Sequence, residues 1–147
     1  MAKVEFLGLD TYREQLVSIG QDADKICKAS LYDGANVLAT AVQREIDTLT
    51  KLDPRDRKGL HDGMGIARFW TKDGTILTKI GWSGYNGWKT KRWPNGKPNA
   101  MIARAQIRGT SWIVPNKFTS RAVKKARDPA IAAIRARLDR ELEARTK

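Results

Sequence analysis

One histidine and one cysteine stand among the 147 residues, and that pair of counts bounds the chemistry this chain can do. His61 is followed by Asp62, which would make an oriented general base if the carboxylate held the imidazole. Adjacent residues rarely aim at each other in that way, and no Ser or Cys nucleophile is tied to the pair. The plainer role is a polar residue at the start of a strand. Every Ser-His-Asp, paired-imidazole or Cys/His zinc scheme must pass through His61 or fail. Cys27 lies in an apolar helical stripe, which suits a small buried side chain, and alone it makes no intrachain disulfide. The carboxylates fall mostly at helix caps and on polar helix faces, so no cluster points to Mg²⁺ or a nuclease centre. Gly59, Gly63 and Gly65 lack both the Gly-Lys-Ser/Thr ending and the strand-to-helix setting of a phosphate loop. The expectation is a protein without catalytic residues, metal or cofactor.

The tryptophans are more informative. Trp70, Trp82, Trp88, Trp93 and Trp112 are all five in the chain, mixed with Arg68, Lys72, Lys79, Lys89, Lys91, Arg92, Arg104 and Arg108. Aromatics interleaved with cations stack bases and neutralise phosphates, and they equally anchor protein interfaces. Trp70 and Trp82 read as sheet core. Trp88 and Trp93 sit in a turn-rich stretch and leave three roles open: protein interface, core and nucleic-acid contact. The charge is segregated along the chain. Residues 1–56 hold 7 Lys and Arg against 10 Asp and Glu, a net of −3; residues 57–147 hold 21 against 6, a net of +15. Such a surface attracts polyanions or acidic neighbours in an assembly, although a solvated basic exterior is the plainer reading. The residues expected at a subunit or partner interface are Trp88, Lys89, Lys91, Arg92, Trp93, Lys97, Trp112 and Phe118. Arg104, Arg108, Lys124 and Lys125 are the residues expected to face nucleic acid.

These side chains must be positioned by a small set of elements. The length is one domain's worth and buries roughly two thirds of the unfolded chain's surface. Asp10 can cap a short helix at about 11–19 that Gly20 ends. A longer helix, 22–50, follows from the stripe Ala23, Ile26, Cys27, Leu31, Leu38, Ala41, Val42, Ile46 and Leu49. Gly34 within it marks either a close packing contact or a weak spot. Leu52 to Gly59 reads as a loop. A β-rich middle, 60–114, contains Gly65–Trp70 and Thr75–Trp82 joined through Asp73-Gly74 as a hairpin. Residues 83–100 read as a long loop, loosely packed until a partner orders it. Residues 101–108 read as a strand, and Trp112-Ile113-Val114 as a short apolar stretch stopped by Pro115. The C-terminal part, 119–145, reads as helical. Ser120 caps a first piece, Asp128-Pro129 starts a new helix or kink, and Ala130, Ile131, Ile134, Leu138 and Leu142 form the stripe. Glu141 and Arg145 make an i,i+4 pair. No transmembrane stretch and no leader peptide are expected.

The order of parts carries a resemblance. A long N-terminal helix leads to Pro54 followed by Lys58-Gly59-Leu60. A β-rich middle with a variable loop leads to Gly109-Thr110-Ser111, then Pro115 and Phe118. An alanine-rich C-terminal helix follows, with Ala122, Ala126 and the stripe from Pro129 to Leu142. From about residue 22 onward the chain resembles the tail-component family of long-tailed bacteriophages, the small neck or tail-completion proteins of the head–tail joining region. The resemblance implies an α+β subunit, a sheet packed on helices; joined to the reading of the residues, the expected fold is a long N-terminal helix and a C-terminal helix packed on a small antiparallel sheet, with a long basic Trp-containing loop. It implies a structural virion protein, not an enzyme, assembled in the host cytoplasm into a multimeric ring of the tail or neck. The implied partners are other copies of itself and tail-tube or neck proteins. Passage of DNA through such a ring would give the basic surface a non-specific role, and no membrane is involved. A non-specific nucleic-acid-binding module is the alternative.

Overall fold

The apolar stripe between residues 22 and 50 forms helix α1 (Ala23–Ile46) in the computed structural model of the chain, which describes residues 2–4 and 22–146. The short helix expected at 11–19 lies outside the described residues. Ile26, Cys27, Leu31, Ala35, Leu38, Val42 and Ile46 are all buried, as steps of three and four require of one helix face. The C-terminal carbonyls of α1 are capped by Arg57, whose guanidinium donates to Ile46 O at 2.9 Å and to Leu49 O. A cation at that end also complements the helix dipole.

Arg57 belongs to a second helix, α2 (Pro54–Asp62), where a loop was expected. Asp53 accepts from Arg55 N at 2.8 Å and Pro54 occupies the first helical turn. This is a capped start with a pre-set φ, hidden by a run of polar residues. Residues 101–108, expected as a strand, lie in helix α3 (Asn99–Arg108). Its buried residues, Asn99, Ile102 and Ala103, follow the helical spacing of three and four. The C-terminal part is one continuous helix, α4 (Phe118–Thr146), with Pro129 inside it, so no new helix starts at Asp128-Pro129. Phe118, Ala122, Ala126, Ala130, Ile134 and Leu138 are buried at every fourth position, passing straight through the proline's level. Burial of that ridge offsets the roughly 3 kcal/mol that an internal proline costs. Glu141 pairs with Arg137 at 3.1 Å; the side chain of Arg145 lies outside the described residues.

The sheet is antiparallel and centred on one strand. Strands β1 (Ala2–Val4), β2 (Met64–Ile66) and β3 (Trp70–Lys72) all pair with β4 (Thr75–Trp82). The expected Asp73-Gly74 hairpin joins β3 to β4, with Asp73 at φ 53° and Gly74 at φ 80°. The expected strand from Gly65 to Trp70 is split. Pairing moves from Ile66↔Ile80 to Trp70↔Leu77, four steps on one side against three on the other. That is the signature of one extra residue, a bulge, and it is stitched by Ala67 N to Lys79 O (2.8 Å) and Thr78 Oγ1 to Ala67 O (2.8 Å). Trp82 is buried as expected, whereas Trp70 is only half-buried, with the Lys79 ammonium 5.4 Å from its ring centre. Among the described residues, no helix is long and apolar enough to cross a membrane.

Helices α1 and α4 pack along their lengths. A Cβ built at Gly34 would stand 2.6 Å from Ile134 Cγ1 and Cδ1 and 3.2 Å from Ala130 O, so the glycine marks a close helix contact. One buried charge also joins the pair. Glu45 of α1 accepts from Lys125 Nζ at 2.6 Å and from Arg121 Nε at 3.2 Å. The Lys125 hydrogen bond, helped by Arg121, holds the Glu45 carboxyl below its ordinary value of 4.5, although burial pushes the other way.

Two predictions follow from this packing. Gly34→Ala should lower stability by about 1 kcal/mol, because overpacking of about 1–3 kcal/mol outweighs a helix-propensity gain of about 1 kcal/mol. Denaturant midpoints measure this, and combination with Ile134→Ala should give less than the sum of the two losses; full additivity would place the strain elsewhere. The depressed Glu45 contributes stability above its unfolded pKa and loses it as pH falls through the lower folded value. Between about pH 7 and about pH 3 the wild type should therefore lose more stability than Glu45→Gln, and equal losses would refute the coupling.

Candidate interaction surface

His61 sits in the last turn of α2, not at the start of a strand. Its Nε2 lies 2.7 Å from Asp47 Oδ1 and its Nδ1 faces Gln43 Oε1, both from the end of α1. Asp62 points instead to Lys58, at 2.6 Å. The imidazole thus ties two helix ends together, and the neighbouring carboxylate does not orient it. Among the described residues no group of three His, Cys, Asp or Glu is placed to hold a metal ion.

The stretch between β4 and α3 is more tightly held than expected. Its two ends bond across at Asn86 N to Lys97 O (2.9 Å) and Asn99 N to Gly84 O (3.0 Å). The Asn86 side chain acts as a spacer inside it. Oδ1 accepts from Trp88 N (3.1 Å) and Lys97 N (3.0 Å), and Nδ2 donates to the buried Asp56 of α2 at 2.7 Å. Lys97 Nζ reaches the other Asp56 oxygen at 3.6 Å. Thr90 and Trp93 close the tip with reciprocal backbone bonds of 2.9 and 3.1 Å. The loose packing predicted from glycine and proline content is therefore corrected: one amide satisfies backbone N–H groups that such a loop would otherwise leave to water, and a buried carboxylate anchors that amide to α2. Gly59 is required where α2 meets this loop, since a Cβ would collide with the Asn99 side chain and stand 2.9 Å from Asn86 Cβ. Asp56 and Asn86 were not singled out from sequence. The only available signal was Asn86 between two glycines.

Trp88 is exposed at 37%, its ring under the Arg55 guanidinium at 4.1 Å. Trp93 is half-buried beside Arg92, at 5.7 Å, and Lys89, Lys91 and Arg92 are exposed. Lys97 is half-buried against Asp56. Phe118, expected at the interface, is fully buried and edge-on to Trp82 at 6.1 Å, so it is core within this chain. Of the residues expected to face nucleic acid, Arg104, Arg108 and Lys124 are exposed, whereas the Lys125 ammonium is committed to Glu45.

The turn between α3 and α4 displays the most exposed aromatic ring among the described residues. Thr110 Oγ1 accepts from Trp112 N (3.2 Å) and Ile113 N (3.1 Å), and Thr110 N donates to Ile113 O (2.9 Å). Gly109 ends α3 at φ 77°, where a Cβ would stand 2.6 Å from Pro115 Cγ. Asn116 N then bonds back to Gln106 O at 2.8 Å. The Gly109-Thr110-Ser111 segment and Pro115 therefore build a tight, internally bonded turn. Trp112 stands 94% exposed on it and Val114 82%.

No model of a known protein family, no curated protein and no solved structure matches the chain.

Asn86→Ala should remove the donor to a buried carboxylate and both acceptor contacts inside the loop. Local opening should become easier by 1 kcal/mol or more, on the order of tenfold. Limited trypsin digestion should then cut at Lys89, Lys91 and Arg92 at least several times faster while the global unfolding midpoint moves less. Unchanged cleavage would mean that Asn86 does not hold the loop.

Proposed function

We propose that this chain is a structural virion protein, a tail-completion or neck component of a long-tailed bacteriophage that forms part of a multimeric ring at the head–tail junction. The observation that carries the reading is the turn at Thr110–Pro115. An indole left 94% in water on a preformed turn costs little ordering on docking, and such rings are frequent anchors of protein contacts. The same Gly109-Thr110-Ser111 and Pro115 that carry the family resemblance shape this turn. The α1–α4 pair and the small sheet give it a stiff support, as a ring subunit needs. Trp88, exposed at the edge of the hydrogen-bonded loop, is a second contact in this reading. The role is one of assembly and involves no bond-making step.

Sedimentation velocity and negative-stain imaging test it, on the chain alone and co-expressed with the proteins encoded beside it. A closed multimer or incorporation into a tail or neck is the expected result. Trp112→Ala should leave the unfolding midpoint within about 0.5 kcal/mol of wild type, as for an exposed side chain. The same variant should weaken association by roughly 30-fold or more, the loss of a 2 kcal/mol anchor. A chain that stays monomeric in both settings, or a variant that assembles normally, would refute the proposal.

A further inference from the structure

From Gly74 to Arg127 the chain has 12 Lys and Arg and not one Asp or Glu. The carboxylates that neutralise part of this run come from earlier in the chain: Glu45 takes Arg121 and Lys125, and Asp56 takes Lys97. Arg104, Arg108, Lys117, Lys124 and Arg127 are exposed and make no ion pair among the described residues. On α3, Arg104 and Arg108 are one turn apart, and Met101, one turn before them, is also exposed; the buried face is Ile102 and Ala103. On α4, Lys124 and Arg127 lie on the side away from the buried Phe118, Ala122 and Ala126, at 100° per residue. Ile102, Ala103, Phe118 and Ala122 share one core cluster, so the cations of both helices face outward from a single support.

We infer that the outer faces of α3 and the first half of α4 form a sequence-independent binding surface for the phosphate backbone of duplex DNA. This rests on the acid-free run and not on the exposed turn, so it stands apart from the assembly reading. Four uncompensated cations on two rigid helices, with Lys117 just before the second, repel one another, and a polyanion that releases its counterions relieves that repulsion. Lysine is depleted from the buried centres of protein interfaces, whereas solvated rows of Lys and Arg suit phosphates. A single strand is the poorer fit, because binding it uses successive open aromatic faces. Here Trp82 is buried, Trp70 lies under Lys79, Trp88 under Arg55 and Trp93 beside Arg92. Of the tryptophans only Trp112 is neither buried nor faced by a cation, and the exposed Tyr32 and Tyr85 lie on other elements, α1 and the loop after β4.

Fluorescence anisotropy of the full chain with a labelled duplex of about 30 base pairs and arbitrary sequence tests the inference. Five phosphate contacts predict a log–log salt slope of about −4.5, a loss of roughly 500-fold between about 50 and about 200 mM NaCl. Arg104→Gln, Arg108→Gln and Lys124→Gln should each flatten the slope by about 1 and weaken two unrelated duplexes equally. Lys28→Gln, an exposed change on α1, should alter neither. Any of four results would overturn the inference: no binding at the low salt, indifference to the three substitutions, displacement by polyglutamate at equal charge, or tighter binding of oligo-dT. Because assembly is read without DNA, loss of duplex binding in a chain that still forms its multimer removes this inference alone.

Discussion

The indole of Trp82 is the contact through which the separate elements become one core. It closes the central strand, donates its N–H to Leu60 O of α2 at 2.9 Å, and meets the first residue of α4, Phe118, edge to face. The same cluster contains the end of α1 through Val42 and Ile46 and the inner face of α3 through Ile102 and Ala103. The contacts that tie the following loop to α3 begin within two residues of it, where Ser83 O accepts from Asn99 Nδ2 (2.9 Å) and Gly84 O from Asn99 N (3.0 Å). Burial of the ring is favourable by a few kcal/mol, but its larger consequence is geometric. Loop 83–98, α3 and the Trp112 turn are all positioned by chain that leaves this one node.

Charge is handled in two ways by the same molecule. Where the helices meet, carboxylates and cations are matched. Glu45 sits between Arg121 and Lys125, Asp33 receives Arg137 at 3.4 Å, and Asp56 faces Asn86 and Lys97. A buried carboxylate left alone would be costly, and the two buried ones, Glu45 and Asp56, each have a hydrogen-bonded partner at 2.6–2.7 Å. Away from the core, Arg104 and Arg108 of α3 and Lys124 and Arg127 of α4 have no such match among the described residues. The acidic first third of the chain is thus consumed in part by internal docking, which leaves the remaining positive charge to the outside.

Both outward-facing features are built on rigid supports. The loop after β4 is closed by its own amide and a buried Asp, and the turn after α3 by a threonine hydroxyl and a glycine pressed against a proline. Neither needs a partner to supply its hydrogen bonds. Docking through them therefore costs less ordering entropy than docking through an open loop. This suits a subunit that assembles through exposed anchors on a stiff frame and also presents a polyanion-attracting face.

What the sequence determined by itself was the local periodicity and the count of residues available for chemistry. Helix α1 and the four-residue spacing of α4 were legible because burial of one helix face demands that pattern. The Asp73-Gly74 hairpin was legible because few other residues accept its turn. The limit set by a single histidine needed no structure. Tertiary structure decided the rest, and the dipeptide Asp-Pro shows why. At Asp53-Pro54 it begins a helix; at Asp128-Pro129 it lies inside one. The local preference is the same in both places, but only the second falls within a ridge that stays buried against α1 on both sides. Asp56, Asn86 and Glu45 were equally illegible, because their partners lie 30 to 80 residues away, and Phe118 could not be told from an interface aromatic until Trp82 was placed beside it. The role of Gly34 was settled in the same way: a glycine in a helix is a weak spot until another helix requires the space its missing Cβ leaves.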